Sequence, residues 1–184
     1  GTCRTRSEPH DPPSPRRSTT GPPPRPAVGA AVLPAMWGLA RPRTASLGVD
    51  STLMDLGLRA DGTMEVPPRG FPAGWYTGAP TPGELGPAII AGHVDWKGPG
   101  VFYNLHSLKV DDRVTVTRQD GSTPVFRVTR VQKFPKDQFP TEAVYGNIDH
   151  AGLRLITCGG SFNRRSGHYE DNIVAFADLV TPAP

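Results

Sequence analysis

Residues 113–133 read RVTVTRQDGSTPVFRVTRVQK, two alternating runs on either side of a turn. In the first run, Val114 and Val116 point one way and the threonines that follow them point the other, which is the two-residue period of a β-strand. The second run, Val125–Lys133, alternates in the same manner. Asp120-Gly121 between the runs is a strong hairpin signal, because Gly adopts positive φ without steric cost. The stretch predicts a β-hairpin.

The chain from about residue 37 onward continues as short apolar runs between turn signals. Strands are predicted at Gly74–Thr77, Ala88–Val94, Gly152–Cys158 and Asn172–Leu179. Ser51–Leu58 is predicted to be a short helix with Ser51 as its N-cap, and Phe134–Ile148, which holds two prolines, a long loop with a short helix. Seven or eight strands with only short helices favour an all-β domain, either a closed barrel or a sandwich.

The composition excludes several classes of protein. The 184 residues include 21 Gly and 22 Pro, which argues against a helical bundle because Pro breaks helices and Gly weakens them. Two cysteines are too few for a disulfide framework, and no Cys/His spacing predicts a zinc site. We therefore expect one folded domain with no metal and no cofactor.

The N-terminal residues 1–36 differ from the rest of the chain. Residues 1–26 hold eight prolines and five arginines against two acids, which accounts for the whole formal net charge of +3. This segment is predicted to be an extended or disordered tail; the alternative is an arm attracted to anionic lipid or cell-wall polymer. Residues 37–184, the predicted folded domain, are neutral by count, so no nucleic-acid partner is expected. The longest weakly apolar run, Ala27–Ala40, is too short to span a membrane.

Two residues are candidates for chemistry. Cys158 follows the apolar run Leu153–Thr157 and precedes Gly159-Gly160, a strand end where a substrate can approach the backbone. His93 follows the apolar run Ala88–Gly92 in the same way. Each has a plain structural alternative, a buried cysteine and a hydrogen-bonded structural histidine. Spacing alone does not pair the two.

The motifs around these two residues resemble those of the sortases, bacterial cysteine transpeptidases. LITC (residues 155–158) resembles their nucleophile motif and AGH (91–93) their histidine motif. The segments GTMEVP (62–67), GWY (74–76), PGELGPA (82–88) and GHVD (92–95) also follow in family order. CGGSF (158–162) and YEDN (169–172) are similar to class F sortases of high-GC Gram-positive bacteria. The resemblance covers about residues 41–180.

The resemblance implies a closed eight-stranded β-barrel and a thiol mechanism. Cys158 would attack the Thr–Gly carbonyl of an LPXTG-like sorting signal, with His93 as general acid and then base. The acyl group would pass to an amine of a peptidoglycan precursor. Such an enzyme would work at the cell surface, anchored through an N-terminal segment that this chain lacks.

The family's third catalytic residue, an arginine, has no direct counterpart here. In many sortases it begins the last strand, and the matching place holds Asp171-Asn172. Arg164 and Arg165 are the nearest replacements, and one of them is predicted to reach back from the loop and take the role; the alternative is that both are solvated loop charges. Arg154 ranks third, because four residues of strand place it about 13 Å from Cys158.

The loop Phe134–Ile148 matches the segment that forms much of the sortase substrate groove. The predicted substrate contacts are Phe134, Phe139, Val144 and Tyr145, together with Thr157 beside the nucleophile. The alternative for each of the four loop residues is a structural role, in which it packs the loop onto the barrel and does not contact the substrate. Two other functions stay open: a cysteine endopeptidase with the same acylation step and no acceptor, and a non-catalytic binding module that has lost its arginine.

Overall fold

The computed structural model describes residues 41–44 and 49–180, and these form a mainly β domain. The strands are β1 Arg41–Thr44, β2 Val49–Asp50, β3 Leu53–Leu56, β4 Ala73–Tyr76, β5 Gly86–Ala91, β6 Arg113–Thr117, β7 Val125–Pro135, β8 Ala151–Asn163 and β9 His168–Leu179. Two 3₁₀ turns, Leu105–Ser107 and Lys136–Gln138, and one helix, α1 Thr141–Tyr145, complete the described elements. The predicted tail, residues 1–36, lies outside the described residues. In the described ranges, no helix is both long and apolar enough to cross a membrane.

The hairpin predicted from residues 113–133 is confirmed. β6 and β7 pair antiparallel, with Val114 opposite Phe126. Both side chains are fully buried, as the alternating pattern requires. β7 continues two residues past the predicted end at Lys133, because it pairs with β9 as far as Pro135 opposite Asp171.

The predicted helix at Ser51–Leu58 is wrong, since this segment contains strand β3. β3 pairs in parallel with β4, from Leu53 opposite Ala73 to Leu56 opposite Tyr76. Leu53 and Leu56 are both buried, and their separation of three residues fits a helical face as well as a strand covered on both sides. Pairing with β4 satisfies the backbone and overrides the local pattern.

The predicted closed eight-stranded barrel is wrong, because the described strands form one nine-stranded sheet whose two edge strands are not hydrogen-bonded to each other. Its nine strands run in the order β2-β1-β6-β7-β9-β8-β5-β4-β3, and only β3/β4 and β5/β8 pair in parallel. The edge strands β2 and β3 are joined by Ser51-Thr52 alone. Three Cα–Cα steps reach at most about 11 Å, so the two edge strands lie near each other at this link and the sheet is curled. β2 is two residues long, and no ladder joins it to β3 in the described ranges.

Two apolar clusters lie on the two faces of this curled sheet. The interior cluster includes Phe126, Leu153 and Leu155. The outer cluster contains Ile156 and Phe176, covered by Val144 of α1. Because successive strand residues face opposite sides, Cys158 shares the outer face with Ile156.

Candidate active site

Strands β5 and β8 bring the two candidate residues level with each other. They pair in parallel up to Ala91 opposite Ile156, and Gly92 N then donates to Ile156 O at 3.0 Å. His93 lies two residues beyond Ala91, and Cys158 two residues beyond Ile156. The parallel register, which sequence spacing could not supply, therefore carries both residues to the same end of these two strands.

The sequence predicts that Cys158 lies at the end of a strand, and this is wrong because Cys158 lies within strand β8. β8 continues to Asn163, with an irregular register between Gly159 and Phe162. Gly160 has a φ of +75°, a backbone conformation that favours glycine. The glycine therefore permits a β-bulge at the point where the sequence predicts the end of the strand. Cys158 is half-buried and is a free thiol.

His93 is held by a loop folded against the sheet. One ring nitrogen, Nε2, lies 2.7 Å from the carbonyl oxygen of Pro67. A carbonyl only accepts, so Nε2 carries the hydrogen and Nδ1 is the basic nitrogen of the neutral ring. The Trp96 ring lies 5.1 Å away, centroid to centroid, and the backbone of His93 accepts a hydrogen bond from Phe102 N at 2.9 Å.

A cleft of about 780 Å³ opens on the outer face, with both candidate residues in its lining. Of the predicted substrate contacts, Phe139, Tyr145 and Thr157 line it. Phe134 and Val144 pack in the outer apolar cluster without lining the cleft, and Val144 is fully buried. Phe139 and Tyr145 do both, so all four loop residues hold the loop on the sheet and two of them also line the cleft.

Two hydroxyl groups of the cleft are notable. Burial raises the pKa of the Tyr145 phenol above its ordinary value, with a smaller contribution from Tyr76. Tyr145 therefore remains a neutral donor at physiological pH. Thr157 is 3% exposed, and its Oγ1 has no hydrogen-bond partner in the part of the chain that the structure describes. A buried hydroxyl without a partner costs free energy unless a ligand satisfies it.

Comparison with known proteins decides the family. A family model described as a sortase domain matches residues 46–180, which is most of the chain. The chain belongs to the sortase family. No curated protein sequence matches it.

Solved sortase structures share the fold of this domain. Sortase A from Corynebacterium diphtheriae superimposes with a TM-score of 0.64 at 18% identity, over 79% of this chain and 62% of that one. A Clostridium perfringens sortase D5 gives 0.59 at 21% identity, over 78% and 79% of the two chains. Sortase C-1 from Actinomyces oris gives 0.59 at 19% identity, over 77% and 73%. The chain thus spans less than two thirds of the Corynebacterium sortase, and the likeness shows the fold.

The sortase domain keeps all three candidate arginines out of its cleft lining. Arg164 and Arg165 are exposed in the turn between β8 and β9. Arg164 lies six residues after Cys158, which in an extended strand corresponds to a separation of about 20 Å. Arg154 is 5% exposed and stacks on the Phe176 ring, with its Cζ 4.8 Å from the centroid.

Several residues that the sequence did not assign complete the cleft of the sortase domain. One wall comes from the segment before β4 and includes Leu58, Met64 and Val66. Lys136 and Asn172 also line the cleft. The family-like segments 62–67 and 169–172 contained a signal for this wall and for Asn172, but the spacing did not show which side chains face the cleft. In the described residues, no group of three or more His, Cys, Asp or Glu is arranged to hold a metal ion.

Proposed function

We propose that this sortase domain is a cysteine transpeptidase of class F type. It would cleave an LPXTG-like sorting signal between Thr and Gly through a Cys158 thioester. The observation that carries the proposal is the half-exposed thiol of Cys158 in an apolar cleft whose lining also includes His93, two residues past the end of the neighbouring strand β5. Class F rests on the motifs at residues 158–162 and 169–172, whereas the similar solved structures are titled sortases A, C and D.

In the acylation step, the thiolate of Cys158 attacks the carbonyl carbon of the Thr residue, since the thiolate is the competent nucleophile. The C–N bond to Gly breaks, and the departing amine takes a proton from the His93 imidazolium. The product is a thioester and a free glycine amine. The hydrogen bond from Nε2 to Pro67 O fixes the ring and leaves Nδ1–H as the proton donor.

In the second step, an amine attacks the thioester, the C–S bond breaks and the Cys158 thiolate is restored. His93 takes the proton that the amine loses, which returns the imidazolium for the next cycle. The acceptor is an amine of a peptidoglycan precursor, and the donors are secreted proteins with C-terminal sorting signals. Sortases work outside the cytoplasmic membrane, and we propose an anchor upstream of residue 1.

The cleft lining supports an extended, apolar peptide as substrate. Phe139 and Tyr145 on one wall face Met64 and Val66 on the other, which suits a Leu-Pro pair. The volume of about 780 Å³ lies within the range of small-ligand clefts. Thr157 borders the cleft beside the nucleophile, but its buried hydroxyl alternates with Cys158 and faces the interior of the sheet, so its contact with the bound signal stays a prediction.

Mass spectrometry of the wild-type domain and Cys158→Ala with an LPXTG-type peptide tests the proposal. We expect cleavage and a peptide adduct on Cys158 in the wild type, and neither in the variant. Adding triglycine as an amine should give an amine-capped product. Cleavage without capping at any amine concentration would favour the endopeptidase, and absence of an adduct across a panel of signals would favour the non-catalytic binding module.

The arginine role remains a prediction for Arg164 and Arg165. Their exposure in the β8–β9 turn gives this prediction no support, because an oxyanion donor must lie about 3 Å from the developing charge. Separate Arg164→Ala and Arg165→Ala variants test it: if either lowers the acylation rate at least tenfold, that arginine has the role.

A further inference from the structure

Asn172 of β9 lies directly opposite Cys158 of β8. The two residues are antiparallel partners in the register that runs from Gly152 opposite Asp178 to Gly159 opposite Asp171. Opposed residues point to the same face of a sheet, with Cβ atoms about 4.5–5.5 Å apart. Cys158 therefore lies between Asn172, its direct partner on β9, and strand β5, whose following loop brings His93 into the same cleft lining.

The amide of Asn172 is available to a ligand. Asn172 lines the same cleft as Cys158 and His93 and is half-buried. In residues 49–180, its side chain makes no hydrogen bond or ion pair, whereas the adjacent Asp171 has an ion pair with Lys133 at 3.5 Å. An amide beside a nucleophile that the protein itself leaves unused is free to donate to a bound substrate.

We propose that Asn172 is a catalytic residue whose Nδ2–H donates to the oxyanion formed when Cys158 attacks the scissile carbonyl. As the S–C bond forms, the carbonyl π electrons move onto the oxygen, and the amide stabilises that charge without a proton transfer. Asparagine side chains serve as oxyanion donors in acyl transfer. The inference rests on the proposed function and assigns to a neutral amide the role that the resemblance gives to an arginine.

Other candidates for the donor fit less well. Arg164 and Arg165 are exposed in the β8–β9 turn, and Arg154 is buried against Phe176. Among the described residues, Lys136 is the remaining basic side chain of the cleft besides His93. It lies in an exposed 3₁₀ turn after β7, two residues beyond Phe134, which pairs with Asn172. One strand therefore separates Lys136 from β8, whereas Asn172 adjoins it.

The test measures the rate of Cys158 thioester formation with a sorting-signal peptide in pre-steady state. Asn172→Ala should lower this rate about 100-fold with little change in peptide KM, the loss expected for one oxyanion donor. The isosteric Asn172→Asp, which replaces the donor by an anionic acceptor, should lower it further and covers the case in which the alanine variant does not fold. Asn147→Ala, an exposed asparagine outside the cleft lining, is the matched control and should match the wild type.

Alkylation of Cys158 by iodoacetamide separates catalysis from structure. Alkylation is a displacement at carbon that forms no oxyanion, so the rate should stay within about twofold of the wild type in Asn172→Ala. An unchanged acylation rate in that variant overturns the inference, as does a loss that appears instead in Lys136→Ala or Arg164→Ala. An equal fall in alkylation and acylation also overturns it, because the residue would then act on the thiol. If the wild type forms no thioester with any signal, the proposed function itself fails.

Discussion

Two neighbouring rows of residues differ in almost every property. The first row, Ala91–Ile156–Val174, is buried and apolar and crosses three paired strands. The second row, Cys158 with Asn172 opposite it and His93 in the loop after β5, is half-buried and polar. Cys158 and Asn172 share a face of the sheet with the first row because each lies two residues from it. The first row therefore supports the fold, and the second is the row to which we assign the proposed chemistry.

The largest effect on the free energy of unfolding is expected from a substitution in the buried first row. Ile156→Ala should destabilise the domain by about 2–4 kcal/mol, because it removes three carbons from a buried side chain and leaves a cavity. Cys158→Ala, two residues away, should change the free energy of unfolding by less than about 1 kcal/mol while abolishing acylation. Urea unfolding of both variants measures the difference. Equal destabilisation by the two substitutions would contradict the view that the first row stabilises the fold and the second does not.

The sequence predicts Cys158 and His93 as catalytic residues, and both assignments stay predictions; it does not indicate Asn172. Cys158 and His93 each follow an apolar run and carry family-like neighbours. Asn172 was passed over because the sequence argument sought a cation near Cys158 along the chain, which indicated Arg164. The pairing of Asn172 with Cys158 comes from the β8–β9 register, and no local sequence pattern shows which residues oppose each other there.

The fold was predictable wherever alternation is strict, as in the hairpin of β6 and β7. It was not predictable at β3, because Leu53 and Leu56 are spaced like a helical pair and only pairing with β4 makes them a strand. The closed barrel expected from the sequence is wrong because β2 has only two residues and forms no ladder with β3 in the described ranges, a feature that no sequence pattern reports. The cleft wall at Leu58–Pro67 has no periodicity from which its orientation follows.

A second prediction concerns the loop that holds His93. The Tyr169 hydroxyl of β9 donates to Asp95 Oδ2 at 2.6 Å, which ties this loop to the strand that pairs with the Cys158 strand. The hydrogen bond to Asp95, with some contribution from burial, raises the pKa of Tyr169, so the donor stays protonated in the working pH range. Tyr169→Phe should lower kcat about tenfold with KM nearly unchanged, because the loop loses its tie and orientation of catalytic groups weakens.

Asp95→Asn is the matched control for this tie. Its amide oxygen still accepts the hydrogen bond, so activity should stay within about threefold of the wild type and above that of Tyr169→Phe. Steady-state kinetics at several pH values compare the two. A larger loss in Asp95→Asn than in Tyr169→Phe would show that the carboxylate charge matters and that the hydrogen bond does not.

A third prediction uses the unsatisfied hydroxyl of Thr157. Thr157→Val keeps the shape and removes a buried group that has no partner in the described chain, so the domain should become more stable by up to about 1 kcal/mol. Acylation should nevertheless slow several-fold if the hydroxyl binds the sorting signal. Thermal unfolding and thioester formation are measured on the same preparation. A variant that is more stable and fully active would remove Thr157 from the substrate contacts.

The smallest effect is expected far from Cys158, where His150 lies between two carboxylates. Its Nδ1 is 2.9 Å from Asp149 Oδ1 and its Nε2 is 3.1 Å from Asp178 Oδ1. The hydrogen bond to Asp149 is the main cause that raises the pKa of His150 above its ordinary value near 6.5. A raised pKa means that the folded state holds the proton more tightly, so the stabilisation is complete below about pH 6.5 and is lost as the pH rises through the folded-state value.

The group is largely exposed, so this contribution should amount to a few tenths of a kcal/mol, about the value of a surface ion pair. His150→Asn should therefore flatten the fall in melting temperature from pH 6 to pH 8 relative to the wild type. Activity should not change, because this end of β8 is about seven residues of strand from Cys158. A melting temperature with the same pH dependence in both proteins would assign the slope to other groups. Equal slopes at 20 mM and 500 mM salt in the wild type would also contradict a surface ion pair, which salt must screen.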